Sequence, residues 1–214
     1  MKFSTGFDRL DNLVSGGFEP GDVVQIYGES GSGKTSLCLQ MAVETAKNDK
    51  IAVFISTNQF SVKRFQQLCK GNEEKVGSNI IVFEPRDPDK LKSAMINAGV
   101  SAGKSDLGLV VIDSPTYYYG RSSGADGDFK KEIAEKLCYL KGVSKKEGFV
   151  IVFTNRVYTD INENKKIPVG KKIFTDLSDY IIKLEKGNKR SIRILKGNKS
   201  KPEISFDIND SGLN

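Results

Sequence analysis

"DVVQIYGESGSGKTSLCLQMAVETAK", residues 22–47, decides the fold. Residues 22–27 are an apolar run of the kind that fills a buried strand. The next eight, "GESGSGKT" (28–35), match G-x-x-x-x-G-K-[ST]. "SLCLQMAVETAK" (36–47) then has helical spacing, with Leu37, Met41 and Glu44 on successive turns. Strand, glycine-rich turn and helix in that order form the setting in which this motif holds phosphate. Gly28, Gly31 and Gly33 allow a tight turn whose N–H groups point inward at an anion. The helix directs its N-terminal dipole at the same point. Lys34 is spaced to neutralise β- and γ-phosphate oxygens, and the Thr35 hydroxyl to ligate magnesium. The candidate nucleotide contacts are Gly28, Glu29, Ser30, Gly31, Ser32, Gly33, Lys34, Thr35 and Ser36, with ATP and Mg2+ as the expected ligands. Average residue frequencies give such a pattern by chance in roughly one chain in a hundred of this length, before the strand–helix setting is counted.

Outward from this point, apolar runs alternate with helical stretches. "IAVFIST" (51–57), "NIIVFEP" (79–85), "LGLVVIDS" (107–114) and "FVIVFTN" (149–155) read as strands. "VKRFQQLCK" (62–70) reads as a helix, and "DPDKLKSAMINAG" (87–99) as one opened by an Asp cap and closed on Gly99. A longer helix is predicted over 127–148, with Phe129, Ile133, Leu137 and Leu140 on one face. This alternation predicts an α/β fold with a mostly parallel central sheet flanked by helices. The tail differs: "DYIIKLEKGNKRSIRILKG" (179–197) is a hairpin around "KGNK", and "EISFDIN" (203–209) adds a strand, so a C-terminal antiparallel β extension is expected. Two segments are predicted as long loops: "YYYGRSSGADGD" (117–128), and the polar, basic "YTDINENKKIPVGKK" (158–172).

The 214 residues make one ordinary domain by length, 38% hydrophobic and 28% charged. With no histidine, imidazole bases, Ser-His-Asp triads and His-ligated metals are excluded together. Cys38, Cys69 and Cys138 are scattered without a CxxC pair and read as reduced core thiols. No run approaches the roughly 18–20 apolar residues of a membrane span. "MKFSTGFDRLDNL" has no signal-peptide core, so a cytoplasmic chain with no membrane partner is expected. The 33 basic against 27 acidic residues leave a net charge of +6, compatible with a solvated surface or with attraction to a polyanion such as DNA.

A phosphate loop needs an acidic partner. "LVVID" (109–113) ends on Asp113, where a neighbouring strand would emerge beside the loop and hold the magnesium.

Taken together, "STGFDRLDNLVSGGFEPGDVVQIYGESGSGKTSLCLQMA" (4–42), "VVIDS" (110–114), "FTNRV" (153–157) and "PVGKKIFTDLSDYIIKLEKGNKRSIRIL" (168–195) resemble the RecA-type recombinase core, in its archaeal RadA and RadB branch, over nearly the whole chain. KaiC-like ATPases share the lead-in and phosphate loop; "TNRV" and "EKGNKRSIRIL" favour the recombinase side. The resemblance implies a single RecA-like ATP-binding core over 1–214, with no helix-hairpin-helix domain ahead of it. It also implies two DNA-facing loops, at about 117–128 and 158–170. The candidates there are Tyr117, Tyr118, Tyr119, Arg121, Lys165, Lys166, Lys171 and Lys172. The tyrosines equally suit half-buried packing at a strand end, and the lysines a solvated loop. Lys199 and Lys201, in "KGNKSKPE" (196–203), would reach a neighbouring subunit's ATP, bind DNA, or simply end a hairpin.

Two departures from the family pattern stand out. Family members end the second strand on Asp-Thr-Glu-Gly, whose Glu activates the attacking water. Here the stretch is Ser56-Thr57-Asn58-Gln59, and an amide at Asn58 takes no proton. Glu84 and Glu29 are the obvious stand-in carboxylates. The family's "TNQV" is "TNRV", with Arg156 where a Gln senses the γ-phosphate; Arg156 could meet that phosphate or point toward DNA. The expectation is an ATP-binding, DNA-binding recombinase paralogue with very slow hydrolysis, binding single-stranded or junction DNA without sequence preference. The resemblance implies a RadA-type recombinase and a Holliday-junction resolvase as partners, and self-association. The alternatives are a fully active DNA-dependent ATPase and a KaiC-like signalling ATPase.

Overall fold

The structure, a computed structural model, describes residues 2–103, 106–120, 126–160, 165–197 and 203–214. In chain order the elements are α1 (Asp8–Leu13), β1 (Val23–Gly28), α2 (Lys34–Lys47), β2 (Ile51–Ser56), α3 (Val62–Cys69), α4 (Glu73–Gly77), β3 (Ile80–Phe83), α5 (Pro88–Ala102), β4 (Leu107–Asp113) and α6 (Asp126–Glu147). They continue with β5 (Val150–Asn155), β6 (Val157–Asp160), β7 (Lys165–Pro168), α7 (Lys171–Leu177), β8 (Tyr180–Lys186), β9 (Arg190–Lys196), β10 (Glu203–Phe206), β11 (Ile208–Asn209) and β12 (Gly212–Leu213).

The apolar runs form one sheet in the order β10-β9-β8-β1-β5-β4-β2-β3. From β8 to β3 neighbours run parallel; β8–β9 and β9–β10 are antiparallel, as the tail pattern predicts. Alternate side chains feed two cores, because a strand points successive residues to opposite faces. Leu109 and Val111 join the core under α2, while Val110 and Ile112 join the one under α5 and α6. Fully burying each such side chain contributes about 1.5–3 kcal/mol. Both faces are therefore covered, and every residue of β1 and β5 is buried.

Local signals hold at most element starts. Asp87 caps α5 by accepting from the Lys90 amide at 2.8 Å, with Pro88 in the first turn. The end of that helix differs from expectation: α5 runs through Gly99 to Ala102. Gly99 marks a close helix crossing, since a Cβ there would lie 2.9 Å from the Tyr139 ring of α6. The segment predicted as a loop over 158–172 contains the β6–β7 hairpin and the start of α7. The strand expected over 203–209 breaks at Asp207, and β11 pairs with β12 instead. Cys38 and Cys69 are buried, but Cys138 is exposed, which corrects its expected core position.

Candidate functional site

The loop between β1 and α2 has the shape its glycines predict. Gly33 has φ +105°, a conformation L side chains rarely adopt, and any Cβ at Gly28 would collide with the Leu184 carbonyl of β8. The Lys34 ammonium folds back to donate to the carbonyls of Gly28 (2.9 Å) and Glu29 (2.6 Å). Burial pushes its pKa below the ordinary lysine value, against the pull of the Asp113 carboxylate. The Ser32 hydroxyl is fully buried with no hydrogen-bond partner. An orphaned hydroxyl, a partly desolvated ammonium and a 14-residue helix beginning at Lys34 suit an anion with several oxygens.

Asp113 lies at the end of β4. Contrary to the expectation of a neighbouring strand, β5 lies between β4 and β1. Asp113 spans the gap: its Oδ2 accepts from Thr35 Oγ1 at 2.6 Å, and its Oδ1 from Thr154 Oγ1 of β5 at 2.5 Å. Its carbonyl accepts from the Thr57 amide at 2.8 Å, which ties the ends of β4 and β2. A hydroxyl and a carboxylate in contact beside the phosphate loop are the hard oxygen donors magnesium takes.

Lys34, Thr35, Asn58, Asp113, Tyr117 and Arg156 share one cleft of about 650 Å³. Asn58 is exposed at its edge, and Gln59 adopts a left-handed φ of +42°. Left-handed backbone at a residue other than glycine costs of order 1 kcal/mol or more. The next amide, Phe60 N–H, donates to Glu84 Oε1 at 2.6 Å, a charge-assisted bond at an exposed position where water screens it. Glu84 is thus engaged by backbone and is absent from the cleft wall. Glu29 forms an ion pair with Lys166 of β7 and lines a separate cavity with it. Among the described residues lining the nucleotide cleft, Asp113 carries the only carboxylate.

A second groove, of about 590 Å³, runs between the turn at 116–120, β6 and the start of α7. It is lined by Tyr119, Lys130, Arg156, Lys171 and Lys172 among others. Arg156 belongs to the walls of both cavities. A buried chain of hydrogen bonds runs behind it: Ser114 Oγ to Thr116 Oγ1 (3.2 Å), Thr116 Oγ1 to Asn155 Oδ1 (3.0 Å), and Asn155 Nδ2 to the Val169 carbonyl (2.8 Å).

The three tyrosines separate. Tyr117 turns to the nucleotide cleft, Tyr118 Oη donates to the Pro85 carbonyl at 2.8 Å, and Tyr119 receives a hydrogen bond from Lys130 Nζ at 2.9 Å. Tyr118 and Tyr119 also pack against the core under α5 and α6. Lys166 faces the phosphate loop rather than the basic groove. Arg121, Lys199 and Lys201 lie outside the described residues, as does the Lys165 side chain. Lys130 was not singled out in the sequence, where it is one of several lysines on a helix; only the packing of α6 against the 116–120 turn gives it a role.

A mostly parallel sheet with a glycine-rich loop between its first strand and the following helix, and a carboxylate two strands away, is the arrangement of the P-loop fold class. The Rad51 family model matches residues 1–214, and the chain belongs to that family. It is 39% identical over 214 residues (95% of this chain, 93% of the other) to the DNA repair and recombination protein RadB of Methanococcoides burtonii. It is 33% identical over 220 residues, covering 100% of this chain and 98% of the other, to the RadB of Archaeoglobus fulgidus. A solved structure described as the RadB recombinase superposes with a TM-score of 0.79 at 26% identity, over 99% of this chain and 98% of that one. The family places the chain on the recombinase side, away from the KaiC-like alternative.

Proposed function

We propose that this chain is an ATP-dependent DNA-binding paralogue of the recombinases, serving DNA repair and recombination, that holds nucleotide and hydrolyses it very slowly. The observation that carries this reading is Arg156, a single cation in the wall of both the nucleotide cleft and the basic groove. A terminal phosphate drawn to Arg156 alters the charge and position of a groove residue, so each ligand changes the affinity for the other. Lys34 and the loop amides would hold the phosphates, Thr35 and Asp113 the magnesium. Bound magnesium supplies neutralisation of phosphate charge. Asn58, a cleft-lining amide, would orient a water without taking its proton, and no second carboxylate lines the cleft among the described residues.

Lys171, Lys172, Lys130 and Tyr119 form the described part of the DNA surface in this reading, with phosphate contacts giving affinity without sequence preference. Arg121 and Lys165, whose side chains lie outside the described residues, would add positive charge to it. Lys199 and Lys201 would act at a neighbouring subunit's nucleotide or on DNA. Among the described residues no helix is long and apolar enough to cross a membrane. In this reading the chain would work in the cytoplasm beside a RadA-type recombinase and a junction resolvase. The test is to measure nucleotide and single-stranded DNA binding together across a salt series. Mutual enhancement is expected, with a DNA salt slope reporting several phosphates; two independent affinities would overturn the coupling.

A further inference from the structure

Two adjacent residues just beyond β3 bind Phe60 and Tyr118, each next in sequence to a residue that lines the cleft, Gln59 and Tyr117. Glu84 Oε1 accepts from the Phe60 amide at 2.6 Å. The carbonyl of Pro85 accepts from Tyr118 Oη at 2.8 Å. Phe60 ends the turn that presents Asn58 and Gln59 to the cleft, and its ring stands edge-on to Phe54 of β2, centroids 5.4 Å apart. Tyr118 stands edge-on to Tyr117, at 5.1 Å and 90°, and Tyr117 is itself a cleft residue. On the other side of Tyr118, Tyr119 lines the basic groove and is held by Lys130.

The path is therefore two hydrogen bonds joined by backbone: Tyr119 and Tyr118 are consecutive, Tyr118 bonds Pro85, Pro85 follows Glu84, and Glu84 bonds Phe60 at the end of the Asn58–Gln59 turn. Its middle is stiff. Pro85 is buried with its φ restricted by the ring, and β3 is paired to β2 from Ile80 to Phe83 immediately before it. Its other end is the turn itself, strained at Gln59 and exposed at Asn58; at Phe60 the ring packs on Phe54 and Phe65 and the amide is held by one carboxylate oxygen.

We propose that Glu84 and Tyr118 are a positioning pair that couples occupancy of the basic groove to the Asn58–Gln59 turn, through the two consecutive residues that end β3. This route is distinct from Arg156, and it rests on the nucleotide and DNA reading above. It gives Glu84 a task other than that of a displaced base: its oxygen holds the turn instead of a water.

The experiment uses the full chain, a non-hydrolysable ATP analogue with Mg2+, and an oligo-dT strand. The readout is the coupling factor, the ratio of oligo-dT affinity with and without nucleotide. Couplings of this kind are on the order of 5- to 150-fold. Glu84→Ala should cut the factor at least about threefold while leaving nucleotide-free DNA affinity within about twofold. Glu84→Gln keeps an acceptor oxygen and should restore most of the coupling. Tyr118→Phe keeps the ring, deletes the hydroxyl on Pro85, and should lower the factor as Glu84→Ala does; the double variant should fall no further, because both act on one route. An unchanged factor in Glu84→Ala and Tyr118→Phe, or strictly additive losses, overturns the proposal. A wild-type chain that binds neither ligand overturns the nucleotide and DNA reading and this inference with it; binding of both with no coupling overturns the inference and leaves the two sites standing.

Discussion

Thr35 and Asp113, 78 positions apart in sequence, meet through a 2.6 Å hydrogen bond from hydroxyl to carboxylate. Thr35 lies in the first turn of α2, Asp113 ends β4, and the second carboxylate oxygen is steadied by Thr154 from the strand between them. A carboxylate held by two hydroxyls, one of them the phosphate-loop threonine, is preorganised for a divalent cation.

Replacing Asp113 with Asn should abolish the magnesium dependence of nucleotide binding. In the wild type, ATP should bind at least about tenfold tighter with Mg2+ than in EDTA, about 1.4 kcal/mol. In Asp113→Asn the two values should converge, with the metal-free affinity little changed. Titration calorimetry reads both. Retention of full magnesium dependence in the variant would remove Asp113 from the metal site.

Asn58→Glu should raise single-turnover hydrolysis. A positioned base contributes about 10²- to 10⁴-fold, and an imperfectly placed one should still give tenfold or more, with nucleotide affinity held within about threefold. Neither Glu29→Gln nor Glu84→Gln should lower the wild-type rate in the same assay by more than about threefold, since both carboxylates are occupied away from the cleft. Brisk wild-type turnover that Asn58→Glu fails to increase would contradict the amide's proposed effect.

Arg156→Gln and the pair Lys171→Ala, Lys172→Ala should separate in their effects. The lysine pair borders the groove alone, so DNA affinity should fall while ATP affinity holds. On single strands the slope of log affinity against log salt should shrink by about 1.4 if each lysine neutralises one phosphate. Arg156 borders both cavities, so its loss should weaken both ligands. An arginine variant that changes DNA binding alone would place that side chain in the groove and leave the phosphate unread.

Nucleotide binding should weaken at alkaline pH and take up protons there. Burial in the cradle holds the Lys34 ammonium below its ordinary pKa, so part of the population is neutral as pH rises toward the ordinary lysine value. Bound phosphates favour the charged form and raise the pKa again. Affinity is therefore full below the depressed pKa and falls as pH climbs through it. Calorimetry in two buffers of different ionisation enthalpy measures the uptake. Lys34→Arg, which stays charged throughout, should lose this pH dependence whatever it does to the affinity itself. A pH-independent affinity in the wild type up to the ordinary lysine range would rule the effect out.

Much of this was legible in residue order. The phosphate loop, the strand ending in Asp113, the parallel alternation and the antiparallel tail all rest on local patterns: period, glycine placement and capping. The errors were local signals overruled by contacts. Gly99 reads as a helix stop, yet the helix runs on to Ala102, and the glycine instead leaves room for Tyr139 of α6. The basic stretch after Tyr158 reads as a loop, yet β6 and β7 pair across it.

By itself the sequence determined what chemistry was available: a glycine-rich loop of the phosphate-binding pattern, one carboxylate at a strand end, an amide where a base is expected, and no imidazole anywhere. Only the tertiary structure decided which groups share a cleft. It inserted β5 between β1 and β4, drew Glu84 onto the Phe60 amide and Glu29 onto Lys166, turned Tyr117 inward, and set Arg156 between two cavities. The physical reason is that these contacts join residues far apart in the chain. They depend on strand order and crossover packing, which no short window of residues encodes, whereas the cradle closes on itself within eight residues, 28–35.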